Sequence, residues 1–258
     1  MYTGKNYQIL ELDGVAFAYS RQGNFIRDLT FSIGNGEFVG LLGANGSGKS
    51  TILRLASGIL RPHSGSIKLW GKPLHSYRNK DRAKLLCYLP QLLDINLPFT
   101  VRELVSMGLY PYDIPPAIRV DEALAMVGLS EKAEYPIMNL SGGEKRRTFI
   151  GMTLLQGAGF LLLDEPLANL DIKYQLELLR LLMALKETKE ISVIMALHDI
   201  NIALQFEKVI LIKEGSVLGV GRPEDVLTQA TLKEAFDVSV DIRRDDNERA
   251  YVSYARNF

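Results

Sequence analysis

Hydrophobic and polar residues follow two different periods along this chain, and the change of period separates a strand-rich part from a helical part. The opening third contains short apolar runs that predict strands, at Ile9–Leu12, Val15–Tyr19, Phe25–Ile33, Phe38–Leu42, Ser66–Trp70 and Leu85–Leu89. Between about residue 98 and residue 157 the spacing of apolar residues is helical throughout. This stretch therefore predicts an all-α insertion in an α/β core.

Strands and helices alternate again after this insertion. The predicted strands are Phe160–Leu163, Ser192–Ala196, Val209–Lys213, Ser216–Gly219, Val238–Ile242 and Ala250–Tyr254. The predicted helices of the whole chain are Ser50–Leu60, Asn79–Lys84, Val101–Gly108, Ala117–Val127, Gly143–Gln156, Ile172–Leu185, Asp199–Phe206 and Pro223–Phe236. In addition, Asn35-Gly36 lies between the runs Phe25–Ile33 and Phe38–Leu42 and predicts a hairpin that joins them.

The composition is that of an ordinary globular protein. The 258 residues are 47% hydrophobic and 23% charged, and this length suits one large α/β domain or one domain with an inserted lobe. The 30 lysines and arginines balance 30 aspartates and glutamates, so no net field attracts nucleic acid or an anionic membrane. We therefore expect no nucleic-acid partner.

The single cysteine and the absence of long apolar runs bear on where the protein works. Cys87 excludes a disulfide within the chain, so we expect a reducing cytosol and a core position for Cys87 on its strand. The N-terminal residues Met1–Asn6 show no secretory signal, and no apolar run approaches the roughly 18 residues that span a bilayer. If the protein acts at a membrane, it is expected to lie at the surface and to use the spans of a partner.

A glycine-rich sequence follows the run Phe38–Leu42, whose continuous apolar character indicates a strand buried on both faces. The segment has the pattern G-x-x-x-x-G-K-[ST] and opens the next predicted helix. Glycines let backbone N–H groups approach phosphate oxygens, and the helix N-terminus adds positive charge. Lys49 is expected to reach the β- and γ-phosphates, and Ser50 is expected to bind magnesium. The candidate nucleotide-binding residues of this loop are Gly43, Asn45, Gly46, Ser47, Gly48, Lys49, Ser50 and Thr51.

Two adjacent carboxylates, Asp164 and Glu165, follow the apolar run Phe160–Leu163. The carboxyl ends of parallel strands face the ligand crevice of an α/β sheet. Asp164 is therefore a candidate magnesium ligand, and Glu165 is a candidate general base for hydrolysis. An isolated Asp-Glu pair is more often a solvated strand end, but the phosphate-binding sequence in the same chain favours the catalytic interpretation.

A third segment, Asn139-Leu140-Ser141-Gly142-Gly143-Glu144, resembles the signature motif of ATP-binding-cassette (ABC) ATPases. Other marks of that family occur in the usual order, namely an aromatic residue beneath adenine, a Q-loop glutamine, a D-loop and a switch histidine. The matching residues are Tyr19, Gln91, Asp171 within Ala168–Asp171, and His198. The resemblance runs from about residue 9 to residue 228.

The resemblance implies a fold and a division of the chain. The fold is an α/β P-loop NTPase (RecA-like) core with an N-terminal antiparallel β subdomain and an inserted α-helical subdomain. We accordingly assign residues 1–94 and 158–228 to the ATP-binding core, residues 95–157 to the helical subdomain and residues 229–258 to a C-terminal extension.

The resemblance also implies how the site works, with ATP and Mg²⁺ as the cofactors. Two copies face each other head to tail, and the phosphate loop of one copy and Ser141-Gly142-Gly143 of the other enclose each ATP. Both elements are helix N-termini with glycines, which suits them to the γ-phosphate. Gln91 would contact magnesium and the attacking water. His198 would hold the γ-phosphate and position Glu165, and Asp171 would act across the dimer interface.

The signature differs from the family pattern at its last residue, which is usually glutamine and is Glu144 here. A carboxylate close to a nucleotide is unfavourable unless a neighbour compensates its charge. We expect Lys145 or Arg146 to do so, and a glutamate in the first turn also suits the helix dipole.

Further segments resemble the ATPases of iron-siderophore, haem and cobalamin importers. Val101–Tyr112 matches the pattern V-x-E-x-V-x-x-G-R-x-P-Y/H except that Leu109 replaces arginine, and His198–Ala203 and Gly221–Thr228 are also similar. The resemblance implies a separate ATPase subunit at the cytoplasmic face of the cell membrane, working with a permease dimer and indirectly with a substrate-binding protein. The apolar loop Leu92–Phe99 is a candidate contact for a permease helix.

Three alternatives to this importer group stay open at this point. Zinc and manganese importer ATPases are its nearest competitors. A non-transport ABC ATPase of the iron–sulfur assembly type would be soluble and would have no membrane partner. A DNA-repair or chromosome ATPase is disfavoured because the chain has neither a long heptad insertion nor net basic charge.

Overall fold

The structure, a computed structural model, describes residues 7–20, 25–91, 98–114, 118–189, 191–248 and 250–254. The chain divides into two compact units, one made of Met1–Ser76 and Val193–Phe258 and the other of Tyr77–Ser192. The division into core, helical subdomain and C-terminal extension made from the sequence is a different partition and stays a prediction.

The strands are β1 (Gln8–Phe17), β2 (Ile26–Gly34), β3 (Phe38–Leu42), β4 (Ser64–Leu69), β5 (Lys72–Pro73), β6 (Leu86–Leu89), β7 (Phe160–Asp164), β8 (Ser192–Leu197), β9 (Lys208–Lys213), β10 (Ser216–Gly221), β11 (Val240–Arg244) and β12 (Ala250–Tyr254). The helices are α1 (Lys49–Ala56), α2 (Asn79–Leu85), α3 (Val101–Ser106), α4 (Val120–Met126), α5 (Gly142–Gln156), α6 (Ile172–Lys189), α7 (Ile200–Ala203), α8 (Pro223–Val226) and α9 (Gln229–Phe236).

An antiparallel sheet in the first unit has the strand order β2-β1-β4-β5. The sequence predicts two separate strands in its first part, whereas β1 is one strand whose pairing with β2 shifts register between Leu12 and Val15. A bulge that contains Gly14, at φ +58°, absorbs the extra residue. Apolar residues on both sides of the bulge therefore remain buried, as Leu12 and Val15 are.

In the same unit, four strands lie in the order β10-β9-β3-β8. β3 pairs in parallel with both β8 and β9, and all of its residues are buried. The predicted hairpin between Phe25–Ile33 and Phe38–Leu42 is wrong, because β2 and β3 belong to different sheets. The chain does turn at Gly36, at φ +74°, but β3 enters the sheet in which it pairs in parallel with β8 and β9. The turn therefore carries the chain from one sheet to the other.

Two helices of the first unit are shorter than the sequence predicts. α1 ends at Ala56 because Gly58, at φ +74°, turns the chain out of the helix. α7 is a single turn capped by Asp199, whose Oδ1 accepts from the backbone N–H of Asn201 at 2.7 Å and of Ile202 at 3.3 Å.

The C-terminal hairpin of β11 and β12 is attached to α7 by one side-chain amide. Asn201 Nδ2 donates to the carbonyl of Val252 at 3.2 Å, and Asn201 Oδ1 accepts from the N–H of Val252 at 2.7 Å. The amide thus satisfies both backbone groups of Val252, as a neighbouring strand would.

The second unit contains α2 to α6 and the parallel strand pair β6–β7. Helices α3, α4 and α5 pack on one another. The helical character predicted for residues 98–157 is therefore confirmed for the part of that stretch that the structure describes. Among the described residues, we find no helix with the length and apolarity needed to cross a membrane.

Cys87 lies on β6, and its predicted core position is confirmed. The residue is 4% exposed, and its Sγ lies 3.1 Å from Gln156 Oε1. Burial raises the pKa of the thiol to about 11. At neutral pH the group is therefore a protonated, unreactive thiol.

Candidate functional site

The glycine-rich loop between β3 and α1 has the backbone shape that its sequence predicts. A Cβ at residue 43 would lie 2.4 Å from the carbonyl oxygen of Ile212, so only glycine fits there. Gly46 has φ +77° and open space on its Cβ side, which leaves room for a ligand against the backbone. Gly43, Ser47, Gly48, Lys49 and Thr51 are buried, Ser50 is half-buried, and Asn45 and Gly46 are exposed.

Two polar groups of this loop are suited to an anion. Lys49 is 5% exposed, and its Nζ donates to the carbonyl of Gly43 at 2.8 Å and to that of Ala44 at 3.2 Å. The Oγ of Ser47 is buried and has no hydrogen-bond partner among the described residues. A buried hydroxyl of this kind is costly unless a ligand or water satisfies it. The loop is therefore fitted to receive phosphate oxygens.

Tyr19 presents an aromatic face beside α1. Its hydroxyl lies 2.9 Å from Thr51 Oγ1, and its ring forms a T-shaped pair with the Phe17 ring at a centroid distance of 4.9 Å. The side chain nevertheless remains 59% exposed. A ring that is held by a neighbouring ring and by its hydroxyl, but remains open to solvent, can stack on a planar base.

In the second unit, the structure brings Gln91 and Glu165 together. Gln91 Nε2 donates to Glu165 Oε2 at 2.7 Å, at the ends of β6 and β7. Glu165 has φ +50°, a left-handed conformation that costs a non-glycine residue roughly 1–3 kcal/mol. Asp164 is fully buried, and Tyr88 donates its hydroxyl hydrogen to Asp164 Oδ2 at 3.2 Å. Strain and burial at adjacent carboxylates are typical of a functional position.

The signature segment forms the capped start of α5. Ser141 is the N-cap, with its Oγ accepting from the N–H of Glu144 at 3.3 Å, while Glu144 Oε2 accepts from the N–H of Ser141 at 2.9 Å. Gly142 is exposed with open space on its Cβ side, and Gly143 is half-exposed. The first turn therefore presents N–H groups without side chains in front of them.

The compensation predicted for Glu144 is corrected by the structure. The cation that pairs with its carboxylate is Lys132, whereas Arg146 turns to backbone carbonyls of its own unit. This ion pair is the main reason that the pKa of Glu144 falls to about 2, and the backbone N–H of Ser141 adds to the effect. Sequence proximity favoured Lys145 and Arg146, but the lysine that reaches Glu144 comes from the 3₁₀ turn Ser130–Lys132.

We expect Lys132→Met to lower the free energy of unfolding by about 1 kcal/mol at neutral pH. Because the pKa of Glu144 is lower in the folded state, its ionised carboxylate stabilises that state. This stabilisation is complete at pH values above 4.5, the ordinary pKa of the group, and is lost as the pH falls towards about 2. The difference between the variant and the wild type should therefore be full at about pH 7 and clearly smaller at about pH 3. Urea unfolding at both pH values measures it.

Lys145→Met is the matched control, because it removes an equal charge from α5 next to Glu144. It should leave the pKa of Glu144 near its wild-type value in an NMR titration. A rise of that pKa in Lys145→Met but not in Lys132→Met would contradict the assignment.

The remaining predicted residues lie on exposed turns. Asp171 follows a turn in which Asn169 has φ +59°, and Gln175 supports the turn by donating to the carbonyl of Leu170 at 3.0 Å. His198 is exposed and directly precedes the N-cap residue Asp199.

Within the described ranges no group of three or more His, Cys, Asp and Glu residues could hold a metal ion by itself. Of the predicted permease contact Leu92–Phe99, residues 92–97 lie outside the described residues.

The two units together define the class of protein. One carries a glycine-rich loop between a buried parallel strand and a helix, and the other carries Glu165, whose backbone is strained, directly after a second buried strand. These are the elements of a P-loop nucleoside triphosphatase. A sequence profile described as "ABC transporter" matches residues 26–168. The chain therefore belongs to the ABC transporter family and is an ATPase of that family.

Curated relatives and solved structures agree with this family. The iron(3+)-hydroxamate import ATP-binding protein FhuC of Bacillus subtilis is 40% identical over 228 residues, which cover 85% of each chain. The hemin import ATP-binding protein HmuV of Bordetella avium is 37% identical over 229 residues, covering 84% of this chain and 88% of the relative. The dimeric, post-hydrolysis structure of the ATP-binding cassette MJ0796 with ADP and Pi superimposes with a TM-score of 0.74 at 25% identity, covering 83% of this chain and 98% of that one.

Proposed function

We propose that this chain hydrolyses ATP to drive a membrane importer whose substrate is an iron chelate, haem or cobalamin. The observation that carries the enzymatic part is the hydrogen bond between Gln91 and the strained Glu165. The importer part is supported by relatives that are named as import ATP-binding proteins for iron(3+)-hydroxamate and hemin. The matched pattern in Val101–Tyr112 points to the same group.

The glycine-rich loop is proposed to bind the triphosphate. Its backbone N–H groups and the unpartnered Ser47 hydroxyl would donate to phosphate oxygens. Lys49 would exchange the carbonyls of Gly43 and Ala44 for oxygens of the β- and γ-phosphates. Tyr19 would stack on adenine. The proposed nucleotide-binding residues of this half are Tyr19, Gly43, Asn45, Gly46, Ser47, Gly48, Lys49, Ser50 and Thr51.

Magnesium is proposed to be held by Ser50, Gln91 and Asp164. The described part of the chain offers no cluster of three or more His, Cys, Asp and Glu residues, which suits an ion that keeps waters and binds substrate phosphates. The buried Asp164 carboxylate is supported by the Tyr88 hydroxyl, so its orientation is fixed before a ligand arrives. When bound, the ion would neutralise charge that develops on the phosphate oxygens.

Glu165 is the proposed general base. Its carboxylate would accept a proton from water as the water oxygen bonds to the γ-phosphorus and the bond to the β-γ bridging oxygen breaks, which gives ADP and phosphate. Gln91 would orient the water together with Glu165, and the exposed His198 would donate to the γ-phosphate. These three residues are the proposed catalytic set.

The active form is proposed to be a homodimer that works with a permease dimer and, indirectly, a substrate-binding protein. Ser141, Gly142, Gly143 and Asp171 would then complete the nucleotide site of the other copy. The exposed N–H groups at the start of α5 are suited to a γ-phosphate, and MJ0796 is dimeric with ADP and Pi bound. Closure on ATP and opening after hydrolysis would move the attached permease. The protein would therefore lie at the cytoplasmic face of the membrane.

Uptake of labelled substrates by cells that lack the gene tests the importer assignment. Ferric hydroxamate, hemin and cobalamin are supplied separately, and the deletion should abolish uptake of one class only. The wild-type gene should restore that uptake, whereas a gene carrying Glu165→Gln should not. Unchanged uptake of all three would reject this substrate group. Loss of zinc or manganese uptake, or of iron–sulfur enzyme activity, would favour the corresponding alternative.

A further inference from the structure

Arg146 is a buried cation that the mechanism above does not use. It lies in the second turn of α5 and is only 5% exposed. Burial lowers the pKa of its guanidinium, and the charges of Asp164 and Glu165 raise it. An arginine side chain stays protonated in proteins, so the group is a permanent fork of N–H donors inside the second unit.

All the hydrogen bonds that the structure shows for this guanidinium go to main-chain carbonyls. Nη1 donates to Pro90 at 3.1 Å and to Gln91 at 2.8 Å. Nη2 donates to Asp164 at 2.8 Å and to Glu165 at 2.6 Å, and Nε donates to Pro166 at 3.3 Å. The planar group therefore bridges the two chain segments that leave β6 and β7.

The same two segments carry the side-chain pair of the proposed reaction. Gln91 and Glu165 are joined by their side chains at 2.7 Å, and Arg146 holds the backbone carbonyl of each. The left-handed backbone of Glu165 needs surrounding contacts to maintain it. The carbonyls on either side of that residue, from Asp164 and Pro166, are held by the same guanidinium.

We propose that Arg146 is a positioning residue for ATP hydrolysis, which fixes the Gln91–Glu165 pair through its backbone and links that pair to α5. The inference rests on the proposed catalytic role of Glu165. Ser141 caps α5, and Gly142 and Gly143 lie in its first turn. A movement of this signature turn would therefore be passed to Gln91 and Glu165 by the rigid guanidinium rather than by the loop alone. Arg146 would act through the main-chain carbonyls that it holds, and it is not assigned a contact with the reacting atoms.

The test is the steady-state kinetics of the full chain with Arg146→Gln and Arg146→Lys. A misplaced catalytic pair lowers the rate without removing the phosphate loop, so kcat of Arg146→Gln should fall about 10- to 100-fold while KM for ATP changes less than about threefold. Lysine keeps the charge but not the planar fork, so Arg146→Lys should lie between this variant and the wild type. If Arg146→Gln does not fold, Arg146→Lys carries the same comparison.

A double-mutant cycle separates positioning from a merely structural role. Gln91→Ala is measured in the wild type and in Arg146→Gln. If Arg146 acts through Gln91, the loss of kcat caused by Gln91→Ala should shrink to less than about threefold in the Arg146→Gln background. Independent effects would multiply, and full multiplication would overturn the proposal.

Arg147→Gln is the matched control, because Arg147 lies on the same helix and donates to the carbonyls of Val127 and Gly128 at 2.8 and 3.2 Å. Its kcat should stay within about threefold of the wild type. Suppose that the wild type hydrolyses ATP and Glu165→Gln does not. A wild-type kcat in Arg146→Gln would then overturn the positioning role of Arg146 and leave the proposed function intact. Full turnover by Glu165→Gln would instead reject the function on which the inference rests.

Discussion

Glu165→Gln should lower ATP turnover by about 100- to 10,000-fold, because an amide cannot accept the proton that a general base removes from water. The amide has nearly the same shape and can still bond to Gln91, so the geometry of the turn should survive. ATP binding should therefore remain, and the variant should accumulate as an ATP-bound dimer. Phosphate release measures turnover, and size-exclusion chromatography with and without ATP measures the dimer.

The control for this variant is Glu177→Gln, which makes the same substitution at an exposed position on α6. Its turnover should match the wild type. Wild-type turnover in Glu165→Gln would remove this residue from the role of base. A variant that is slow but stays monomeric with ATP would retain the base and contradict the proposed dimer.

Lys49→Ala should weaken ATP binding by at least about 100-fold, since hydrogen bonds to charged groups contribute about 1.5–3 kcal/mol each. The buried ammonium lies at the carbonyls of Gly43 and Ala44, within the loop that would hold the phosphates. Alanine leaves no cation there to meet the β- and γ-phosphates. Titration with a fluorescent ATP analogue gives the affinity directly.

Lys68→Ala removes the same charge from an exposed position on β4 of the same unit, and its affinity for ATP should be unchanged. Thermal unfolding of both variants shows whether the Lys49 variant keeps its fold. A folded Lys49→Ala protein with wild-type affinity would contradict the assignment of the loop to the triphosphate. Lys49→Ala thus tests ATP binding in the first unit, and Glu165→Gln tests turnover in the second.

Backbone-level features could be predicted from the sequence where one local property decides them. The unbroken apolar run of β3 shows that it is buried on both faces, and the glycine pattern after it predicts the shape of the loop. Local sequence patterns do not show which strands pair with each other. Asn35-Gly36 forms a turn, but whether two flanking strands pair depends on which sheet each can enter, and this is decided by residues far along the chain.

Side-chain partners at the candidate site were less accessible to prediction than the residues themselves. Gln91 matches a family position and Glu165 follows a predicted buried strand, but only the three-dimensional structure shows their hydrogen bond. Lys132 and Arg146 belong to no predicted motif position. Because a long flexible cation can reach many neighbours, the sequence does not show which group each of them contacts. Their roles depend on backbone carbonyls and turns that no sequence pattern specifies.

The buried thiol of Cys87 makes this chain suitable for site-specific labelling as it stands. It is the only cysteine in the sequence, and its pKa of about 11 leaves almost no thiolate to react with a maleimide. A cysteine introduced at an exposed position would then be the sole attachment point for a spin label or fluorophore, without prior removal of the native one. Distances between two such labels across the proposed homodimer would show whether it closes on ATP.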